Sequence, residues 1–148
     1  MKLTYPVLAL VTTLLFASSS RDIPETHPPA GLCLTRFIAP QYPPVARGGL
    51  EGDVRVKFKI DANGKWTDVE ILGGHPMLQQ FVEDAIQGWR FCSGGSEARE
   101  TVVTFAFRLE GDRTDYWTPT RVEFGPDSTV RVVTNPARPV TDWVKKKK

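Results

Sequence analysis

The chain has 148 residues, a net charge of +2, and 41% hydrophobic and 24% charged residues. That is one domain of ordinary globular chemistry, which excludes a chain disordered throughout and a polytopic membrane protein. Lys2 and the run Lys145 to Lys148 carry more positive charge than the net total, so the body between them is mildly acidic, and no nucleic-acid partner is expected.

Lys2 precedes the apolar stretch Leu3 to Ala17 and then Ser18-Ser19-Ser20. This order of basic, apolar and small residues predicts a signal peptide over residues 1–19, cleaved near Ser19 or Ser20. A bilayer span needs about 20 apolar residues. This stretch is shorter and carries Thr4, Pro6, Thr12 and Thr13; an inner-membrane anchor is the alternative. Residues 20–37 contain Pro24, Pro28, Pro29 and Gly31 and predict an extended leader. Export into an oxidising compartment makes Cys33 and Cys92 an expected disulfide. Neither cysteine has a flanking His that would activate a thiol.

Pro43 and Pro44 suit the first turn of a short helix that Gly48 and Gly49 stop. From Gly52 to Ile60 the residues alternate: Val54, Val56, Phe58 and Ile60 on one face, Asp53, Arg55, Lys57 and Lys59 on the other. That pattern is a half-buried antiparallel strand. Asp61-Ala62-Asn63-Gly64 is a hairpin turn, and Trp66 to Leu72 is the return strand. Pro76 opens a helix whose expected apolar stripe is Met77, Phe81, Ala85, Ile86 and Trp89. Thr101 to Leu109 is a further strand with Val103, Phe105, Phe107 and Leu109 on one face. Arg121 to Phe124 and Thr129 to Val133 are short strand candidates around Gly125-Pro126-Asp127. The expected fold is α+β: an antiparallel sheet of about three strands, one long helix packed on one face, and a C-terminal extension.

Several motifs resemble the C-terminal domain of TonB, the energy transducer of Gram-negative envelopes. Pro40-Gln41-Tyr42-Pro43 with Ala46 and Arg47 is similar to its short first helix, and Glu51-Gly52-Asp53-Val54 to its first strand. Asp61 to Lys65 resembles its hairpin, and Gly74-His75-Pro76-Met77-Leu78 through Trp89-Arg90-Phe91 its long helix and exit. Val103-Thr104-Phe105 with Phe107 resembles its third strand. The resemblance implies a TonB C-terminal-like domain over 38–112, followed by an extension over 113–148 that ends in a basic tail. A full transducer carries a membrane helix and a long proline-rich arm, whereas here only Ser20 to Leu32 separates the apolar segment from the domain. The best-known transducers also read Gln where Ala39 stands. A stand-alone, periplasmic or secreted relative is therefore expected.

The resemblance further implies a binder whose open edge strand accepts the TonB box of a TonB-dependent outer-membrane receptor by strand addition. The expected acceptor is Val102 to Leu109, with Val102, Thr104, Ala106 and Arg108 outward and Gln41, Tyr42 and Arg47 gripping the added segment from the short helix. The same edge offers a route to a homodimer. The alternative is that residues 121–133 cover it, as proteins commonly protect such edges, in a structural or inhibitory envelope protein that kept the fold without energy transduction. His75 is expected in the turn before the helix, Trp89 in the core, and Asp61, Glu83 and Asp84 as solvated charge. No catalytic, metal or cofactor pattern stands in the sequence, so enzymatic function is not expected.

Overall fold

The computed structural model describes residues 32–139. The expected signal peptide, most of the leader and the lysine run lie outside the described residues. In chain order the elements are β1 (Leu34–Arg36), a 3-10 turn (Pro44–Gly48), β2 (Gly52–Ile60), β3 (Trp66–Gly73), α1 (Pro76–Ile86), β4 (Arg90–Phe91), β5 (Arg99–Leu109), β6 (Arg121–Gly125) and β7 (Thr129–Thr134).

Local chemistry accounts for the central hairpin. Val54, Val56, Phe58 and Ile60 are buried on one face of β2, as the alternation requires. At the turn, Asp61 Oδ1 accepts the N–H groups of Asn63 and Lys65, each at 2.9 Å. Asp61 is thus a turn residue of the Asx type. Gly64 has φ +83°, and a Cβ there would lie 2.1 Å from the Phe91 carbonyl oxygen. Glycine is required both for the left-handed backbone and for the close approach of β4.

Helix α1 begins as expected. His75 Nδ1 accepts the Met77 N–H at 3.3 Å, and Pro76 fills the first helical position. Its inward face matches the expected one at Ala85 and Ile86 but has Leu78 and Val82 in place of Met77 and Phe81. Leu78, Val82, Ala85 and Ile86 are buried, Met77 is exposed and Phe81 only half-buried. Trp89 does not end the helical stripe either, because α1 stops at Ile86. The chain turns at Gly88, where a Cβ would meet Ile38 Cδ1 at 2.0 Å. From that turn Trp89 enters the core.

The main sheet has five strands in the order β3-β2-β5-β7-β6. β2 pairs antiparallel with β3 and with β5, matching Val54 with Phe105 and Phe58 with Val69. β6 and β7 form an antiparallel hairpin, and β7 lies parallel to β5. The expected antiparallel sheet of about three strands is therefore part of a larger mixed sheet. Part of the expected extension, residues 121–134, supplies two of its strands. The residues after Leu32 also belong to the fold. Leu32 is buried, β1 pairs with β4, and the Cys33–Cys92 disulfide joins them with Cα atoms 5.3 Å apart.

Trp89 is fully buried. Its ring stacks on Phe58 and lies 5.1 Å from Phe37 and 5.3 Å from Phe105, while its Nε1–H donates to the Ile38 carbonyl at 2.9 Å. Trp89→Ala is expected to cost roughly 3–5 kcal/mol in chemical denaturation, the usual loss for a buried large aromatic. Reducing the disulfide, which closes a loop with a sequence separation of 59, should cost about 4 kcal/mol on the chain-entropy model, read as a lower unfolding midpoint with reductant.

Candidate functional site

The edge expected to accept a partner strand is β5. Its outward N–H groups are fixed by two hydrogen bonds. Thr104 N–H donates to Ser128 O at 3.1 Å, and Glu110 N–H donates to Thr134 O at 2.9 Å. Alternation with period two then aims the N–H groups of Ala106 and Arg108 the same way. They face β7, whose register runs from Thr104 opposite Thr129 to Leu109 opposite Thr134. Of the two arrangements that the sequence leaves open, the structure has the covered one along this stretch.

The hairpin that covers it is built locally. Asp127 and Ser128 have φ of 53° and 56° and form its tip, and Thr129 N–H donates to Pro126 O at 3.0 Å. Consecutive left-handed residues match the strand twist that two-residue hairpins need. Val130 and Val132 are buried in the same core as Phe105 and Phe107, and Val133 is buried on the opposite face.

That opposite face carries charge laid across the strands. Arg108 pairs with Asp53 at 2.7 Å, Arg131 with Glu110 at 2.5 Å and with Glu123 at 2.7 Å, and Arg121 with Glu123 at 2.7 Å. The hydrogen bond from Arg121 holds the Glu123 carboxyl below its ordinary range, helped by the charges of Arg121 and Arg131. Exposed pairs of this kind each contribute little to stability; as an alternating lattice they favour one register over its neighbours. Ala106 is buried beneath this lattice, and Thr104 is half-buried.

The residues expected to grip a partner from the short helix divide. Gln41 is exposed and lines a groove of about 270 Å³ with Ile38, Ala39, Phe81, Asp84 and Ala85. Tyr42 is 2% exposed. Its hydroxyl donates to Leu50 O at 2.5 Å, and its N–H donates to Thr120 Oγ1 at 3.0 Å. Burial, reinforced by the charge of Glu51, pushes the Tyr42 phenol up to about 12. Arg47 is 5% exposed. Its Nε donates to Asn135 O at 2.8 Å, its guanidinium reaches Tyr116 O at 3.1 Å, and its own carbonyl accepts the Ala137 N–H at 2.8 Å. Tyr42 and Arg47 therefore bind this chain's own C-terminal segment. Their partners Tyr116, Thr120, Asn135 and Ala137 were not singled out from sequence. They present mostly backbone groups, which no side-chain pattern marks.

Among the described residues, no strand pairs with one part of the expected edge. β5 has 11 residues and β7 only 6. The register begins at Thr104, so Arg99 to Val103 extend past the start of β7. In this stretch Val102 is 36% exposed. By the same alternation its N–H and C=O point away from β2, on the side where β7 pairing begins only at Thr104. Among the described residues no group of three or more His, Cys, Asp or Glu side chains could hold a metal ion. Among them, too, no helix is long and apolar enough to cross a membrane.

Tyr42 makes a pH-dependent contribution. The folded state keeps the phenol protonated to about pH 12, whereas an unperturbed tyrosine ionises near 10.0. Stability should therefore fall as pH rises through that window, by about 2 kcal/mol from this group. Tyr42→Phe leaves the Leu50 carbonyl without its donor and should cost roughly 1–3 kcal/mol at neutral pH. Its disadvantage should shrink between pH 10 and 12, measured by urea unfolding at each pH; parallel curves would show that the hydroxyl is not held this way.

Against known proteins, the model of the family described as Gram-negative bacterial TonB protein C-terminal matches residues 38–109. Protein TonB of Salmonella typhimurium is 33% identical over 97 residues, covering 64% of this chain and 40% of that protein. Protein TonB of Escherichia coli is 35% identical over 98 residues, covering 64% of this chain and 41% of that protein. The solution NMR structure of the Pseudomonas aeruginosa TonB C-terminal domain is 35% identical and covers 55% of this chain and 90% of that one, with a TM-score of 0.46. The chain thus spans about 40% of the length of the curated relatives it matches.

Proposed function

Through residues 38–109 the chain belongs to the TonB C-terminal domain family, and we propose on that footing that it is an exported, periplasmic protein-binding domain serving TonB-dependent outer-membrane transport. The partner is an extended segment of an outer-membrane receptor, added as a strand beside Arg99 to Val103 of β5. The observation that carries this reading is the length mismatch between β5 and β7, which leaves an unpaired run of backbone next to a covered one. Strand addition draws its affinity from main-chain hydrogen bonds and asks little of side chains. Gln41 remains accessible as an auxiliary contact, while Tyr42 and Arg47 support the fold behind it. A second copy of the chain competing for the same run would give the homodimer.

One observation favours a second reading, a structural or inhibitory envelope protein without energy transduction. The stretch Thr104 to Leu109 is closed by a strand whose valines are core residues. Displacing them would expose side chains worth about 1.5–3 kcal/mol each, more than a short peptide readily replaces.

Val102→Pro separates the two. It removes an outward N–H on the open run and leaves the bonds to β2 intact. The variant should stay folded by circular dichroism and bind receptor-segment peptides at least tenfold more weakly in a fluorescence titration. Thr104→Pro should instead lower the unfolding midpoint, because its N–H bonds Ser128. A folded Val102→Pro protein that binds like the parent, or a parent that binds no receptor segment, transfers support to the second reading.

A further inference from the structure

The main sheet has another edge at β3, on the side of β2 away from β5. β3 is eight residues long, and among the described residues no strand pairs with its outer side. The direction of its backbone groups follows from the rest of the sheet. In an antiparallel pair, opposite residues turn their N–H and C=O groups either toward each other or both away. Thr104 and Val102 of β5 point away from β2, so their partners Arg55 and Lys57 point away from β5, toward β3. Lys57 therefore exchanges hydrogen bonds with Glu70, which lies opposite it. The residues on either side of Glu70, Val69 and Ile71, then turn their N–H and C=O groups outward. A row of backbone donors and acceptors thus lines this edge.

Beside the row lies a groove of about 320 Å³ between β3 and α1. Trp66, Val69, Ile71 and Ile86 give it an apolar lining, and Trp66 Nε1–H ties β3 to α1 by donating to Ile86 O at 3.2 Å. Glu83, exposed on the helix, adds a carboxylate to the groove wall. The other face of the sheet is acidic at the same edge. Glu100, Lys59 and Asp68 lie in one row across the strands, with Lys59 paired to Asp68 at 3.2 Å. Val102, Lys57 and Glu70 form the next row, with Lys57 paired to Glu70. Both rows end at the edge in a carboxylate. Opposite charges on adjacent strands favour pairing and like charges oppose it. A second copy of β3 would set Asp68 and Glu70 against acids of its own kind, so the edge resists self-pairing.

We propose that the β3 edge and its groove bind an extended basic segment of another protein by strand addition. The main chain of that segment pairs with the outward groups of Val69 and Ile71. Lysine or arginine side chains on one face continue the charge rows beyond Asp68 and Glu70. Apolar side chains on the other face enter the groove over Val69 and Ile71, and a cation at its rim meets Glu83. The same carboxylates turn away another copy of this chain and admit a basic strand, so specificity comes from repulsion as well as attraction. β2 separates this edge from Arg99 to Val103 of β5, and the proposal does not depend on receptor binding there.

The test is fluorescence anisotropy of labelled, capped octapeptides with the purified full chain at low ionic strength. One peptide alternates lysine with valine, a second has glutamate in place of lysine, and a third is the lysine peptide with alternate backbone amides methylated. Only the first is expected to bind, more weakly as salt is raised. It should shift the amide NMR signals of Val69 and Ile71 and leave those of Arg99 to Val103 in place. Glu83→Lys should weaken binding by roughly fivefold or more, with an unchanged thermal midpoint because the side chain is exposed. The proposal is overturned if the lysine peptide does not bind, or if the glutamate peptide binds as well. It is equally overturned if the methylated peptide or the Glu83→Lys protein binds like its parent, or if the shifts fall on Arg99 to Val103 instead.

Discussion

The indole of Trp89 holds separate parts of the chain in one place. Its faces and edges meet Phe58 of β2, Phe105 of β5, Phe91 of β4 and Phe37 of the lead-in, and its N–H is bonded to the Ile38 carbonyl. The last contact has the widest consequences. It fixes the chain entering the domain against the chain leaving α1, where the Ile38 side chain lies directly over Gly88. Once Ile38 is fixed, the next turn carries Tyr42 and Arg47 to the C-terminal segment. Arg47 then holds Tyr116, Asn135 and Ala137 in place by backbone carbonyls and an N–H. A disulfide one residue beyond β4 repeats the same constraint covalently.

The position of β7 follows from that chain of contacts. An edge strand bearing Val103, Phe105 and Phe107 inward and free backbone outward is a liability in any monomer, because it templates pairing with other chains. Here the protein closes most of it with its own hairpin and seals the seam with Val130 and Val132 inside and the Arg–Glu lattice outside. Closure is incomplete because the hairpin tip falls opposite Thr104, partway along β5. The remainder without a neighbour, Arg99 to Val103, is short.

Local features were legible from sequence because local forces decide them. The alternation from Gly52 to Ile60, the Asp61 to Gly64 turn and the His75-Pro76 helix start each depend on neighbours within a few residues. The helix face was not legible in the same way. Met77 with Phe81 and Leu78 with Val82 form two apolar phases one residue apart, and both satisfy helical periodicity. Only packing against β2 selects Leu78 and Val82. Trp89 was readable as a core residue, but not as one beyond the helix, since apolar spacing continues from Ile86 to Trp89 although α1 stops at Ile86.

The sequence by itself determined the α+β class, the order of the main elements but not the short strands β1 and β4, the cysteine pair and the family to which residues 38–109 belong. These rest on periodicity, turn chemistry and motif order, which are written along the chain. Tertiary structure decided which way Tyr42 and Arg47 turn, and whether the edge of β5 is free. Both depend on backbone groups far away in sequence: Thr104 meets Ser128, and Arg47 meets Asn135. A backbone carbonyl carries no residue identity, so a strand candidate at Thr129 to Val133 announces that it will pair but not with what. Its partner is chosen only when the core closes around Trp89 and brings the two edges together.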